Sequence, residues 1–349
     1  MDDLILISQR FFPGKKQPKI EKLTGGLIHK TFKISFSNHE AYILQSINDL
    51  VFKDPNGLMN NISLIANHLK SKNYPLKILE PIASPNGFLE KDQYGNYWRA
   101  FPFYRNSLVL EKVTNPKHVF EAAKAFGLFL KFLDGIDLKN IKETIPKFHN
   151  LDHRLMHFEQ AINNAKKETK STAKEAIETI LKWKEQFKFD FSKMPLRIVH
   201  NDTKISNVLL SKANMEGICV IDLDTVMPGY LVTDFGDMIR TMCCTASEEE
   251  TDLDKIAIDI NIFTGMTEGF LFATRSFLKK VEKENLVIGG VFIIFEQAMR
   301  FLTDYLQENI YYPVSFPEQN LIRSKNQIKL LTSLLDNQTK LDLIVNKLY

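Results

Sequence analysis

Hydrophobic and polar positions alternate along the N-terminal part of the chain in the way that half-buried β-strands require. Phe32, Ile34 and Phe36, for example, alternate with polar residues. Residues 57–70 differ, because their apolar positions recur every three or four residues and predict one helix. Short strand-like runs bounded by Gly, Pro or Asn predict strands at residues 20–26, 31–36, 41–44, 87–90 and 97–101.

Helical periodicity dominates after residue 101. One apolar helical stripe begins at Val119 and ends at Asp134-Gly135, and the charged segment 151–187 predicts one or two further helices. Three short apolar runs of strand length follow, and helices resume at about residue 253. We therefore expect a two-lobed α+β fold, with a small β-rich lobe at residues 1–101 and a larger, mostly helical lobe at residues 102–349.

Composition narrows the class of protein. The 349 residues carry 45 basic and 42 acidic side chains, a net charge of +3. This near balance argues against a dedicated nucleic-acid-binding protein, which usually has a large excess of basic residues. The three cysteines form no CxxC motif, and the N-terminus lacks the basic region of a secretory signal. The longest strongly apolar stretch, residues 286–295, is shorter than the ~20 residues that span a bilayer. We expect a cytoplasmic protein, a monomer or weak homo-oligomer, without nucleic-acid or membrane partners.

The densest chemical signal lies at residues 200–207, HNDTKISN, followed by the acidic pair Asp222 and Asp224. One short predicted strand ends at His200, where the first segment begins, and another ends at Asp222. Two strand ends could therefore bring Asp202, Asn207 and Asp222 together. Such a cluster of oxygen ligands suits Mg²⁺, which usually leaves room for substrate phosphates.

The spacing His-x-Asp-x4-Asn, with an acidic residue downstream, is that of a kinase catalytic loop. In that scheme Asp202 accepts the proton of the acceptor hydroxyl, while Asn207 and Asp222 hold the metal that bridges the phosphates of ATP. Lys204 would steady the transferring phosphoryl group. Each feature alone is weak, and an isolated Asp-x-Asp is often a solvated turn, but all of them in order are a strong signal.

The metal motif Asp222-Leu223-Asp224 has no glycine at its third position, which separates the chain from protein kinases. The sequence instead resembles the aminoglycoside phosphotransferase and choline kinase superfamily, and within it the N-acetylhexosamine 1-kinases. The resemblance covers most of the chain and is carried by GGLIHKTF (25–32), YILQSIN (42–48), VFKDP (51–55), YWRAFPF (97–103), HNDTKISNVL (200–209), VIDLDTVMPG (220–229), DFGDMIR (234–240) and RFLTDYL (300–306).

The resemblance implies a two-lobed, protein-kinase-like fold and ATP- and Mg²⁺-dependent phosphorylation of the anomeric hydroxyl of N-acetylglucosamine or N-acetylgalactosamine. It makes Asp202 the catalytic base and Asn207 and Asp222 the metal ligands. Asp224 is counted with the metal site as a supporting acid whose partner the sequence does not assign.

The lysine–glutamate ion pair that protein kinases use at the nucleotide phosphates is missing from the sequence. Gln45 stands on the strand where a phosphate-binding lysine is expected, and the helix at residues 57–70 contains no glutamate to pair with one. This leaves open which basic residue contacts the nucleotide.

Several candidates have two interpretations. Gly25 and Gly26 could form a loop over the phosphates or a plain hairpin turn, and His29 could reach the substrate cleft or lie on the surface. Arg300 could line the acceptor pocket or form an internal salt bridge with Glu296. Tyr311 is a weaker candidate for the same pocket.

Other clusters are predicted to be structural. His149, His153 and His157 are expected on a solvated helix face, and Cys243 and Cys244 are expected to be buried or incidental. The group Asp234, Asp237 and Arg240 is expected to brace the metal loop rather than to act in catalysis.

Alternatives remain open at this point. The same kinase chemistry could serve choline, an amino alcohol, an aminoglycoside or another sugar. A metal-dependent glycosyltransferase could use Asp222-x-Asp224, although this leaves the upstream motif unexplained. The missing lysine and glutamate would also fit a pseudokinase that binds nucleotide without turnover.

Overall fold

The chain forms an N-terminal lobe built on one antiparallel sheet and a larger, mostly helical C-terminal lobe. A computed structural model describes residues 2–15, 17–23, 28–37, 40–113 and 115–349. The predicted two-lobed α+β fold is confirmed.

The N-terminal lobe contains five strands in the spatial order β1-β2-β3-β5-β4, all antiparallel. The lobe comprises α1 (Asp2–Phe11), β1 (Lys19–Leu23), β2 (Lys30–Ser35), β3 (Ala41–Ser46), α2 (Pro55–Ser71), β4 (Glu90–Lys91) and β5 (Tyr97–Pro102). The predicted glycine turn at Gly25 and Gly26 lies outside the described residues. Strands β2, β3 and β5 occur at the predicted positions and β1 overlaps the predicted strand 20–26, whereas β4 shares only Glu90 with the predicted strand 87–90.

Two helices flank this sheet but belong to different cores. Helix α1 places Ile7 and Phe11 against Ile34, Leu44 and Trp98 on one face of the sheet. Helix α2 instead buries its apolar side in the large core of the C-terminal lobe. Helix α2 is therefore fixed to the C-terminal lobe, although it lies within the N-terminal part of the sequence.

The C-terminal lobe surrounds one large hydrophobic core. Its elements are β6 (Ser107–Leu108), α3 (Pro116–Leu133), α4 (Leu151–Asn164), α5 (Lys167–Thr172), α6 (Lys174–Gln186), β7 (Arg197–Val199), β8 (Val208–Ser211), β9 (Gly217–Val220), β10 (Met227–Gly229), α7 (Leu231–Met242), α8 (Ile260–Thr274), α9 (Lys280–Lys283), α10 (Leu286–Leu306) and α11 (Gln319–Leu348). The charged segment 151–187 contains three helices rather than one or two.

Helix α10 extends well beyond the apolar stretch at residues 286–295. Its 21 residues are long and apolar enough, by length and composition, to cross a membrane. However, 78% of its most apolar window is buried inside the protein, which is typical of a core helix.

Helices α7 and α10 touch backbone to backbone at two glycines. A Cβ atom on Gly289 would lie 1.9 Å from the carbonyl oxygen of Val232, and one on Gly236 would lie 2.2 Å from the carbonyl oxygen of Gly289. Only glycine permits this approach. The contact places α7, with Asp234 and Asp237, beside the loop that follows β7.

We expect Gly289→Ala to lower the free energy of unfolding by at least ~1–3 kcal/mol, because the clash is with rigid backbone. The adjacent Gly290→Ala is the matched control, since its Cβ would meet the flexible ends of Ile239 and Leu334, at 2.8 and 3.1 Å. Urea denaturation of both variants measures the difference. Equal losses of stability would contradict the assigned helix contact.

Candidate active site

Two loops meet at the base of the cleft between the lobes. Strand β7 ends at Val199, directly before the loop that carries Asp202, and β9 ends at Val220, shortly before Asp222. The backbone N–H of Ile221 donates to the carbonyl oxygen of Asn207 at 2.9 Å, which joins the two loops. Asp202, Asn207 and Asp222 therefore line one cleft of about 1020 Å³.

Asp202 is held as an ionised carboxylate. Its Oδ2 accepts hydrogen bonds from Lys204 Nζ at 2.9 Å and from Asn207 Nδ2 at 2.8 Å. Burial alone would raise the pKa of Asp202, but the Lys204 ammonium and the Asn207 amide outweigh it and lower the pKa. A carboxylate in this state can accept a hydrogen bond from an acceptor hydroxyl.

Asp222 is the carboxylate that protein donors leave free. Within the part of the chain that the structure describes, no protein group donates a hydrogen bond to its side chain. Burial, followed by the charges of Asp224 and Asp202, raises the pKa of Asp222 to about 6. Its backbone is left-handed, with φ +59°, a strained conformation of the kind that clusters at functional sites.

The donor set around Asp222 fits Mg²⁺. Asn207 gives its amide nitrogen to Asp202, so its amide oxygen is the atom left for a ligand. In the described chain, no three His, Cys, Asp or Glu side chains form a ready metal cluster. Mg²⁺ is often held by one or two protein oxygens and completes its shell with phosphate and water, and the free oxygens of Asn207 and Asp222 fit that kind of site.

Asp224 is fully engaged by the N-terminal lobe. Its two oxygens accept from Arg99 Nη1 at 2.6 Å and Nη2 at 2.7 Å, and Oδ2 also accepts from His29 Nε2. Burial would raise the pKa of Asp224, but the charge of Arg99 and the hydrogen bonds from Arg99 and His29 hold it well below its usual range. The expected metal role of Asp224 therefore has no support in this geometry; it is the supporting acid, and its partners are Arg99 and His29.

Arg99 is a site residue that the sequence analysis missed. Its side chain is 2% exposed, and its Nε donates to Gln45 Oε1 at 3.1 Å, while Gln45 Nε2 donates to Thr31 Oγ1 at 3.0 Å. Gln45 thus orients an arginine instead of replacing a lysine. A charged residue between Trp98 and Ala100 in an apolar strand was the available signal.

His29 lies in the cleft, so its surface interpretation is wrong. Its Nδ1 accepts the backbone N–H of Asn48 at 3.1 Å, which leaves the proton on Nε2, the atom facing Asp224. The ring also lies 5.4 Å from that of Phe52, and the side chain is 7% exposed.

Asp234, Asp237 and Arg240, which are predicted to brace the metal loop, all lie on α7. Asp234 accepts the backbone N–H groups of His200 and Asn201, both at 2.7 Å. Asp237 accepts the backbone N–H of Thr203 at 2.7 Å and Arg240 Nε at 3.0 Å. The start of α7 therefore fixes the backbone on both sides of Asp202. Cys243, at the end of α7, is buried, and Cys244 is half-buried.

Arg300 lines the same cleft, and the alternative interpretation, an internal salt bridge with Glu296, is wrong. Glu296 instead pairs with His149 Nδ1 at 2.6 Å and Arg154 Nε at 3.3 Å. Among the described residues, Arg300 forms no salt bridge and donates one hydrogen bond, to Gln297 Oε1 at 3.3 Å.

Three aromatic rings surround the Arg300 guanidinium. Its Cζ lies 5.2 Å from the ring centroid of Phe148, 6.0 Å from that of Tyr311 and 5.7 Å from that of Tyr312. We call these three rings with Arg300 the arginine box. The rings balance part of the charge without occupying its N–H donors.

The predicted histidine face divides into two parts. Helix α4 begins at Leu151, so His149 precedes it and turns into the cleft, where it binds Glu296. His153 and His157 lie on the helix with ring centroids 4.1 Å apart. The expectation of one solvated face is therefore wrong for His149.

We expect Arg99→Met to destabilise the protein by about 3–5 kcal/mol, because it leaves the buried Asp224 without its guanidinium partner. Combining it with Asp224→Leu removes both buried charges and should restore much of that stability. Urea denaturation of the wild type, both single variants and the double variant gives the coupling energy. If the losses of stability of the two single variants add up to the loss of the double variant, a direct Arg99–Asp224 interaction is contradicted.

Comparison with known proteins agrees with this geometry. The model of the phosphotransferase enzyme family, APH, matches residues 19–265. The structure resembles spectinomycin phosphotransferase APH(9)-Ia in complex with ADP and spectinomycin, with a TM-score of 0.61, 13% identity and coverage of 97% of this chain and 98% of that one. It also resembles choline kinase from Cryptosporidium parvum Iowa II, with a TM-score of 0.60, 14% identity and coverage of 99% and 98%.

A third similar structure is amicoumacin kinase hAmiN in complex with AMP-PNP, Ca²⁺ and Ami, with a TM-score of 0.57, 13% identity and coverage of 94% of this chain and 93% of that one. At these identities the structural likeness shows a shared kinase-like fold. The family match extends from β1 into α8 and includes Asp202, Asn207 and Asp222. The chain belongs to the phosphotransferase enzyme family.

Proposed function

We propose that this phosphotransferase uses ATP and Mg²⁺ to phosphorylate the anomeric C1 hydroxyl of N-acetylhexosamines, N-acetylglucosamine or N-acetylgalactosamine. The observation that carries the choice of acceptor is the arginine box. Its guanidinium lines the same cleft as Asp202 and, among the described residues, donates only one hydrogen bond.

The charge of this region favours a neutral acceptor over a cationic one. Four carboxylates that line it are already paired with cations: Asp237 and Glu248 with Arg240, Glu249 with Arg323, and Glu296 with Arg154, while His149 also hydrogen-bonds to Glu296. A site for choline or an aminoglycoside would need acids and aromatic rings facing the ligand's positive charge. Here the aromatic rings face a protein cation instead.

An acetamido sugar offers what Arg300 lacks. Its carbonyl oxygen can accept the unused guanidinium N–H groups, and the rings of Phe148 and Tyr311 can pack against the apolar parts of the sugar. A pocket whose polar groups depend on the ligand for a partner can discriminate by ~10⁴-fold against analogues that lack it. The box thus supports recognition of the N-acetyl group.

The proposed chemistry uses the residues of the two loops. Asp202 would orient the acceptor hydroxyl and take its proton as the oxygen attacks the γ-phosphorus of ATP, while the bond from that phosphorus to the β–γ bridging oxygen breaks and ADP leaves. Lys204, which interacts electrostatically with both Asp202 and Asp222, would face the transferring phosphoryl group. Asn207 and Asp222 would hold Mg²⁺, which when bound neutralises charge on the phosphate oxygens.

Asp224 argues against a glycosyltransferase that uses Asp222-x-Asp224 as its metal motif. Such a motif needs both carboxylates for the metal and nucleotide, whereas the oxygens of Asp224 are taken by Arg99 and His29. Arg99 is likewise occupied, so Lys204 is the cation that we propose for phosphate contact.

We expect Asp202→Asn to lower kcat by ~10²–10⁴-fold with little change in ATP binding, because an amide cannot accept the proton. Asp222→Asn should instead weaken Mg²⁺-dependent nucleotide binding, since it removes a ligand charge. Asp190→Asn, at an exposed position outside the cleft, is the control. Steady-state kinetics and calorimetric binding of MgATP separate these effects. Near-wild-type turnover by Asp202→Asn would contradict its assigned role.

The acceptor is tested with an ATP-consumption screen over sugars, N-acetylated sugars, choline, ethanolamine and aminoglycosides. We expect N-acetylglucosamine or N-acetylgalactosamine to be the best acceptor and glucose and galactose to be much poorer. A methyl group on the C1 oxygen should stop the reaction, whereas blocking C6 should not. Phosphorus NMR should show the product phosphate coupled to the anomeric proton.

Arg300→Met provides the matched test of recognition, because it keeps much of the side-chain length but removes the donors. It should lower kcat/KM for the N-acetylated sugar far more than for the parent sugar. Coupling of the phosphate to the C6 protons, or turnover confined to a cationic acceptor, would reject the proposed substrate class.

A further inference from the structure

The loop at residues 307–318, which joins α10 to α11, carries Tyr311 and Tyr312 into the cleft. Its attachment centres on Asp304, in the last turn of α10, whose side chain is 3% exposed. Asp304 Oδ1 accepts the backbone N–H of Tyr311 at 2.7 Å, and Oδ2 accepts that of Tyr312 at 2.9 Å. One carboxylate thus binds two consecutive amides of the loop.

This carboxylate is buried without a compensating positive charge. Among the described residues, its third side-chain partner is the neutral amide Asn320 Nδ2, at 2.9 Å, and it forms no salt bridge. Burying an unpaired charge is costly unless hydrogen bonds satisfy it. A neutral asparagine would avoid the free-energy cost of a buried charge, but its side chain has only one oxygen to accept hydrogen bonds. The two loop amides donate to different oxygens, which explains why an aspartate stands here.

The backbone that these bonds hold is itself unfavourable. Glu308 and Asn309 are consecutive non-glycine residues in the left-handed region, with φ +64° and +61°. Asn309 is tied by its N–H to the carbonyl oxygen of Asp304 at 2.8 Å and by its side chain to the carbonyl oxygen of Pro317 at 2.9 Å. Such a conformation persists only where its surroundings over-determine it.

The rings that follow this turn complete the arginine box. Besides facing Arg300, Tyr312 accepts Gln297 Nε2 on its hydroxyl at 3.2 Å, and Gln297 is the residue that accepts from Arg300. Tyr311 remains 53% exposed and has no side-chain hydrogen bond in the described chain. Its place over Arg300 therefore depends on where its backbone is held.

We propose that Asp304 is a positioning residue for acceptor recognition: by binding the amides of Tyr311 and Tyr312, it sets the shape of the arginine box before the acceptor arrives. The inference rests on the proposed function in that the molecule bound at Arg300 is the phosphoryl acceptor. Asp304 is not among the residues that line the cleft. Its effect reaches the acceptor through the loop, and the nucleotide side of the cleft is independent of it.

The test compares Asp304→Asn with Asp259→Asn. Asp259 also accepts two backbone amides through its side chain, those of Asn261 and Ile262, but at the start of α8 and outside the cleft. For Asp304→Asn we expect the KM for N-acetylglucosamine to rise about tenfold or more. A tenfold rise corresponds to a loss of ~1.4 kcal/mol of binding free energy. The KM for ATP should change less than about twofold in either variant.

A purely structural role would lower the melting temperature and the active fraction without moving the acceptor KM selectively. That result, or equal changes in both KM values, would overturn the inference. If the wild type does not turn over N-acetylglucosamine, the proposed function fails separately. The same KM comparison is then made with the acceptor that the screen returns, and an unchanged KM for that acceptor would overturn the inference on its own.

Discussion

Crowding of negative charge around one loop is the constraint on which the rest of the site depends. Five carboxylates surround the loop between β7 and β8: Asp202, Asp222, Asp224, Asp234 and Asp237. Like charges at this density repel unless each receives a partner. Lysine, arginine, histidine and backbone amides are distributed among four of them, and Asp222 is left. Among the described residues, Asp222 is thus the carboxylate of this group without a protein donor, as the metal site that we propose requires.

Much of this arrangement could be predicted from the sequence, because it is local. The spacing from His200 to Asn207 and the acid at 222 place the reactive groups on adjoining loops by chain geometry alone. The strands of the N-terminal sheet follow from simple alternation. Helix α7 also had a readable signal, since apolar residues recur at helical spacing from Leu231 to Met242, but this stretch was interpreted only as a motif.

What could not be predicted depends on contacts between distant segments. Helix α1 contains four consecutive apolar residues at positions 4–7, a pattern without helical period, and only its packing on the sheet explains it. The partners of Asp224 are 125 and 195 residues away along the chain. Similarly, Glu296 and Arg300 are spaced to pair on one helix face. However, His149, which precedes α4, and Arg154, which lies in α4, bind Glu296 instead of Arg300.

The Arg99–Asp224 pair has a consequence for regulation. In protein kinases the corresponding ion pair joins a strand to a mobile helix, so that displacing the helix switches the enzyme off. Here the pair joins a strand directly to the metal loop, while the helix in the equivalent place, α2, is embedded in the core of the opposite lobe. Because neither partner of this pair lies on α2, a displacement of that helix of the protein-kinase type would not by itself separate Arg99 from Asp224.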